Sequence, residues 1–220
     1  MVEQCFWRWF AMVKLGFVVE GGSERILIES QAFKTWLQCH GLELSEPIID
    51  AQGNGNFLKP DKLKSYLSLI ERRTPAPEHV ILLTDLDDAP CYTAVRSRIQ
   101  APDSVFVCIA RKSLESWYLA DSQAMSAWLN RLHYEPEPEL VPGRPWDYLH
   151  GLSKRYAGHG TGSSKISFSK KMLNRFHFSI ERAAAHPACP SAVYFLNKLL
   201  SLSQKSQQPE FSLECSEDSL

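Results

Sequence analysis

The strongest strand signal in this chain is Val80-Ile81-Leu82-Leu83-Thr84-Asp85-Leu86-Asp87-Asp88, an apolar run that ends in carboxylates. Pro75 and Pro77 precede it, and we predict a strand over His79–Thr84. The apolar residues follow one another without polar alternation, which is typical of a strand buried on both faces of a parallel sheet. Three similar runs predict further strands, at Val13–Val19, Pro47–Ala51 and Ser104–Ala110.

Segments with helical spacing of apolar residues separate these strands. Residues 24–40, 60–72 and 91–99 each predict a helix. The order is therefore β-α-β-α-β-α-β, which predicts an α/β fold with an open, doubly wound and mainly parallel sheet. After residue 113 the sequence predicts helices only, at 114–131, 145–156, 168–185 and 190–202. We therefore expect a helical addition at the C-terminal end.

The chain of 220 residues divides into four predicted parts. Residues 1–11 are an N-terminal extension, 12–125 the α/β core, 126–202 a helical, basic addition and 203–220 a polar, flexible tail. No apolar run approaches the roughly 20 residues of a membrane helix, so we expect no membrane partner. The six cysteines are widely spaced, which favours reduced thiols and a cytoplasmic location over a disulfide framework.

Acidic residues follow three of the four predicted strands. Glu20 and Glu24 follow the first strand, Asp85 and Asp87 the third, and Glu115 the fourth. In an open α/β sheet the carboxyl ends of the strands meet at one edge, where ligands bind. Like charges repel one another there unless they share a cation. The pattern therefore predicts a divalent metal with hard oxygen ligands, Mg²⁺ or Mn²⁺.

Each acid also has a plainer explanation. The two aspartates could lie in a solvated turn or cap a helix. Glu24 could simply favour the dipole of a helix that begins nearby. Glu115 could pair with Arg111 or Lys112. The joint placement of the acids at three strand ends is what favours a metal site.

Two of these segments resemble the signature of the TOPRIM family, which includes topoisomerases, bacterial primases and OLD-type nucleases. They are Glu20-Gly21-Gly22-Ser23-Glu24 and Asp85-Leu86-Asp87. The continuation Glu115-Ser116-Trp117-Tyr118-Leu119-Ala120-Asp121 is similar to a group of short, stand-alone TOPRIM-like bacterial proteins. The resemblance covers residues 13–121 and implies a TOPRIM-like, Rossmann-like core.

The resemblance also implies a role for each matched acid. Glu20 would be a general acid/base or a metal ligand, and Asp85 and Asp87 would bind Mg²⁺. Glu24 and Glu115 match the extra acids of the OLD-type site, which can hold a second metal. Two metals would together stabilise the attacking water and the leaving oxygen of a phosphodiester.

Two further features of OLD-type proteins bear on this chain. Lys165 is similar in place to their late lysine, which implies a catalytic role. Those proteins also carry an ATPase domain, whereas this sequence contains no Gly-x-x-x-x-Gly-Lys-[Ser/Thr] motif. Any ATPase, of SMC or ABC type, would therefore be a separate partner.

The second half of the chain is locally basic. Residues 148–180 contain no Asp or Glu. Cations along a path are what a nucleic-acid backbone requires, although an ordinary solvated helix face is the alternative. The residues predicted to contact nucleic acid are Lys165, Lys170, Lys171 and Arg175. The segment Gly158–Lys165 fails the Walker pattern and is predicted to be a surface loop.

Two functions from different classes follow. The first is a Mg²⁺-dependent TOPRIM-type nuclease that cleaves DNA or RNA, as an effector of a bacterial defence system. The second is a TOPRIM-like interaction or regulatory subunit that works with a separate ATPase. The full set of five acids favours the enzyme, and the missing ATPase motif favours dependence on a partner. Phosphotransfer on a small nucleotide is a third possibility.

Overall fold

The computed structural model describes residues 12–156 and 159–205. Its centre is a four-stranded, all-parallel sheet with the strand order β2-β1-β3-β4. The strands are β1 Val13–Val19, β2 Leu42–Asp50, β3 His79–Asp85 and β4 Val105–Ala110. The two central strands, β1 and β3, are buried along most of their length, as their apolar runs predict.

Helices cover both faces of this sheet. On one face α1 (Gly22–Glu29) and α2 (Gln31–Cys39) pack with Phe17 of β1. On the other face α3 (Pro60–Glu71) and α4 (Tyr92–Ile99) pack with Leu82 of β3. The α/β fold with a doubly wound, parallel sheet is therefore confirmed. The chain leaves β1 towards one edge of the sheet and β3 towards the other, so the topological switch point lies between these two strands.

The C-terminal part is helical, as predicted. Its helices are α5 Glu115–Ala120, α6 Ser122–Leu129, α7 Pro145–Tyr156, α8 Lys165–Asn174, α9 Ile180–Ala184 and α10 Pro190–Lys205. The ring of Phe195 in α10 stacks on Phe33 of α2 at 5.9 Å and lies 5.3 Å from Trp117 of α5. The helical part therefore shares one hydrophobic core with the sheet, and that core is continuous across the predicted boundary at residue 125.

Three long predicted helices are each broken in two. The hydroxyl of Ser30 accepts a hydrogen bond from the amide of Phe33, so α2 restarts after α1 has ended. The carboxylate of Asp121 accepts from the amides of Gln123 and Ala124 and restarts the chain as α6. The third prediction, 168–185, is divided between α8 and α9. Apolar spacing continues across these breaks, which is why the sequence does not reveal them.

β2 is longer than the predicted Pro47–Ala51. It begins at Leu42, and its first half carries the polar residues Glu43, Ser45 and Glu46. Because β2 is an edge strand with partly exposed side chains, it lacks the apolar run that marks the central strands.

The predicted ends of the chain extend past the described residues. The N-terminal extension 1–11 lies outside them, and so does most of the predicted tail 203–220. Its first three residues, 203–205, belong to α10, which ends at Lys205. In the part of the chain that the structure describes, no helix has the length and apolar character needed to cross a membrane.

Candidate functional site

Glu20 stands at the switch point, directly after β1. Its Oε2 accepts a hydrogen bond from the Thr84 hydroxyl at 2.6 Å and from the Asp85 amide at 3.0 Å. Its own amide donates to the Leu83 carbonyl at 3.0 Å, which extends the pairing of β1 with β3 by one residue. The side chain and the amide of Glu20 thus link the carboxyl ends of the two central strands, β1 and β3.

Glu24 lies in the first turn of α1, next to Glu20. The amide of Gly21 donates to its Oε2 at 3.1 Å, as in a capping box. A Cβ on Gly22 would lie 2.6 Å from Cδ1 of Ile166, so the absence of a side chain at Gly22 lets α8 approach α1 closely. Only 6% of Glu24 is exposed, and its carboxyl group is therefore held inside the protein.

Asp85 and Glu115 complete the buried acids. Asp85 ends β3, and its Oδ1 accepts from the Leu114 amide at 2.9 Å. Glu115 begins α5 and is 2% exposed. Its Oε2 accepts from Nζ of Lys165 at 3.0 Å, an ion pair that spans 50 positions of the chain. Glu115 therefore pairs with Lys165 at the start of α8, and not with its sequence neighbours Arg111 or Lys112.

Burial and mutual repulsion raise the pKa values of three of these carboxyl groups. Burial raises the pKa of Glu24 to about 8, and the charges of Glu20 and Glu115 add to the rise. Burial, followed by the charges of Glu24, Glu20 and Glu115, raises the pKa of Asp85 well above its usual range. Burial also raises the pKa of Glu20, and it outweighs the hydrogen bonds from Asp85 and Thr84. We call these four residues, Glu20, Glu24, Asp85 and Glu115, the acid cluster.

Lys165 is the cation that faces the acid cluster. Burial lowers the pKa of its amine, but the charges of Glu115, Asp85 and Glu24 raise it by more, so the net pKa lies above the ordinary value. Among residues 12–156 and 159–205, one amine faces four carboxyl groups, so the cluster is short of positive charge when its acids are ionised. Such a site attracts further cations.

Asp87 lies at the exposed rim of this site. Its backbone has a left-handed conformation with φ of 49°, and its amide donates to the Lys112 carbonyl. The Asn54 side chain donates to its Oδ2 at 2.8 Å, and the charge of Asp87 contributes to the raised pKa of Glu20. A non-glycine residue held at positive φ is unusual and is often found at functional sites.

The donor chemistry of the site fits a hard divalent cation, because the groups available are carboxylate oxygens. Within residues 12–156 and 159–205, however, no three Asp, Glu, His or Cys side chains surround one point closely enough to hold a metal ion. Glu20 Oε2 and Asp85 Oδ1 accept hydrogen bonds from backbone amides instead. Ligation of a metal by these side chains therefore requires them to rotate.

Of the three other predicted cations, Lys170 and Lys171 lie further along α8 and Arg175 directly follows it. Lys170 is exposed, and Lys171 donates to the Gly160 carbonyl at 3.2 Å. Arg175 lies over the ring of Phe176 at 5.4 Å. Their contact with nucleic acid stays a prediction.

A cleft of about 910 Å³ opens beside the acid cluster. Asp87 and Lys165 line it together with residues that the sequence alone did not single out. These are Asn54, Arg98, Ser113, Arg144 and Trp146. Asn54 follows β2 in a turn of glycines and asparagines, and its place after a strand could have indicated it. Ser113 likewise follows β4, whereas Arg98, Arg144 and Trp146 come from distant segments and no local pattern marks them.

Comparisons with known proteins give one remote likeness. No family model matches the chain, and no curated protein matches it. A solved structure, the C-terminal region of the OLD protein of Xanthomonas campestris pv. campestris, is similar with 17% identity and a TM-score of 0.39. The match covers 89% of this chain and 99% of that one.

Proposed function

We propose that this chain is a metal-dependent nuclease that hydrolyses phosphodiester bonds of nucleic acid. The observation that supports this most strongly is the acid cluster at the switch point between β1 and β3. Four carboxyl groups there face the amine of Lys165, at the sheet edge where α/β folds bind their ligands. Burying several acids together raises the free energy of the folded state, and a bound cation would offset this repulsion.

Each residue has a proposed role. Glu20, Asp85 and Asp87 would hold Mg²⁺ or Mn²⁺, and Glu24 and Glu115 would lie beside it or hold a second ion. The metal would supply positive charge that stabilises the developing charge on the phosphodiester.

Two residues have proposed roles besides metal ligation. Glu20, with its raised pKa, is also the candidate to accept a proton from water. Lys165, held by Glu115, would keep its positive charge directed at the site.

One observation favours the regulatory subunit as a second candidate. In the described part of the chain the carboxylates do not converge on one metal position, and Lys165 forms an ion pair with Glu115. A site of this form could become competent only when a partner, such as a separate ATPase, rearranges it.

Cleavage assays on substitutions that keep the shape of the site test the proposal. Asp85→Asn retains an oxygen for the Leu114 amide, and Glu20→Gln retains one for Thr84 and Asp85. We expect each to reduce Mg²⁺- or Mn²⁺-dependent cleavage of plasmid and single-stranded substrates by at least about 100-fold. The matched control is Asp103→Asn, the same change in an exposed residue just before β4. It lies at the amino-terminal ends of the strands, away from the acid cluster at their carboxyl ends.

The assay is run with each metal, alone and with any ATPase encoded beside the gene. Cleavage that requires the ATPase and is lost in Asp85→Asn would show that this chain carries out the reaction and that the partner regulates it. If wild type and Asp85→Asn behave alike under every condition, the chain is not the nuclease, and the regulatory function takes its place.

A further inference from the structure

The cleft beside the acid cluster has the volume of a small-ligand site. Its volume of about 910 Å³ lies in the range of sites that enclose one small molecule, about 300–1,000 Å³. That volume accommodates a few nucleotides of one strand. Asp87 and Lys165 belong to its lining, so anything bound in the cleft lies next to the proposed reaction centre.

The walls of the cleft carry separate cations and not a continuous basic surface. Arg98, at the end of α4, and Arg144, just before α7, are both exposed. The acids Asp88 and Asp147 lie in the same lining. A rigid duplex needs positive charge along its backbone, whereas a flexible single strand can place its phosphates at separate cations.

Trp146 gives the cleft an aromatic wall. Its ring is half-buried and makes edge contacts with His150 at 4.7 Å and with Phe168 at 5.8 Å. A fixed indole beside exposed cations is the combination with which proteins bind unpaired bases. Paired bases inside a duplex have no free face to offer such a ring.

Two further features indicate that the cleft binds a ligand. The hydroxyl of Ser113, which lines the cleft, is buried and has no hydrogen-bond partner among the described residues. A buried polar group of this kind is normally satisfied in the functional state. Lys112, at a φ of 59°, donates to the Gly143 carbonyl at 3.1 Å and so joins the two walls of the cleft. This hydrogen bond fixes the segment around Gly143 relative to the end of β4.

We propose that this cleft binds a single strand of nucleic acid, with one base stacked on Trp146 and phosphates at Arg98 and Arg144. One phosphodiester of the bound strand then lies at the acid cluster. The inference rests on the proposed nuclease function and adds its substrate class, an unpaired strand.

Binding is measured separately from cleavage, by fluorescence anisotropy with a labelled strand of about 12 nucleotides in the presence of EDTA. The same strand annealed to its complement, and an unlabelled nucleoside monophosphate as competitor, are the comparisons. We expect the single strand to bind at least about tenfold more tightly than the duplex. Trp146→Ala should weaken single-strand binding by roughly 5- to 150-fold, which corresponds to the loss of one stacked base.

Three controls separate stacking and charge from unfolding. Trp146→Phe keeps an aromatic face and should retain most of the affinity. Tyr194→Ala removes an exposed aromatic ring from a different cleft, beside β4, and should change nothing. Arg144→Ala should lower the slope of log Kd against log salt by about 0.7, whereas Arg72→Ala, at the exposed end of α3, should not.

The proposal is overturned if duplex and single strand bind equally, or if Trp146→Ala binds the single strand as tightly as the control Tyr194→Ala does. It is also overturned if the nucleoside monophosphate binds as tightly as the strand, which would identify a small-nucleotide site. Because EDTA prevents metal-dependent cleavage, these results are independent of the nuclease assay. Strand binding without cleavage under any condition would refute only the proposed reaction.

Discussion

The charge of Glu24 gives a test of the acid cluster that needs neither substrate nor metal. Its pKa of about 8 in the folded protein compares with 4.5 for an ordinary glutamate, because the side chain is buried beside Glu20 and Glu115. Between these two pH values the folded chain holds a proton that the unfolded chain has released. Stability therefore falls as pH rises through this window, and the loss is complete above about pH 8.

Glu24→Gln removes this penalty. Glutamine has nearly the same shape, and its side-chain oxygen can still accept from the Gly21 amide. At about 1.4 kcal/mol for each pKa unit, the difference between 4.5 and about 8 corresponds to about 5 kcal/mol. Since Glu20, Asp85 and Glu115 share the repulsion, we expect the variant to be more stable than wild type by about 2–4 kcal/mol at pH 8.5. At pH 4 the two proteins should be equally stable.

Urea unfolding in EDTA, followed by circular dichroism at pH 4, 6 and 8.5, measures the difference. Glu71→Gln makes the same change at an exposed site in α3 and should stay within about 0.5 kcal/mol of wild type at every pH. If Glu24→Gln follows Glu71→Gln at pH 8.5, the acid cluster does not destabilise the fold and its carboxylates are not crowded.

Two further predictions concern the framework that holds the site. Asp121 is fully buried and pairs with Arg182 at 2.7 Å. Asp121→Ala should therefore lower the free energy of unfolding by about 3–5 kcal/mol in the same urea assay. Asp103→Ala, at an exposed position, should change it little. A Cβ on Gly16 would lie 2.7 Å from the Ile70 side chain, so Gly16→Ala should lower the melting temperature and the free energy of unfolding, the latter by about 1–3 kcal/mol. Gly55→Ala, at a position with open space around it, is the control. Equal melting temperatures of the two variants would contradict the packing described.

The sequence predicts the fold well where one physical pattern dominates. The central strands β1 and β3 are buried on both faces, so their apolar runs are visible without a structure. Acids placed after such strands must meet at one edge of a parallel sheet. For this reason Glu20 and Asp85 could be placed together from sequence order alone.

Features that depend on distant segments could not be predicted in the same way. The partner of Glu115 is Lys165, 50 positions away, and nothing local distinguishes it from Arg111 or Lys112. The cleft combines Arg98, Arg144 and other residues of separate loops, so it exists only after the helical part has packed on the sheet. Asp121 caps α6 locally, but its second partner, Arg182 of α9, lies 61 positions away and is not marked by any local pattern.

Metal binding by the acid cluster is the central claim, and a titration with Mn²⁺ followed by electron paramagnetic resonance measures it most directly. We predict that wild type binds Mn²⁺ at pH 8 and releases it to excess Mg²⁺. Asp85→Asn should bind at least about tenfold more weakly, and Asp103→Asn should bind like wild type. Equal Mn²⁺ affinity in wild type and Asp85→Asn, or no binding by wild type, would contradict the claim that these carboxylates form a metal site.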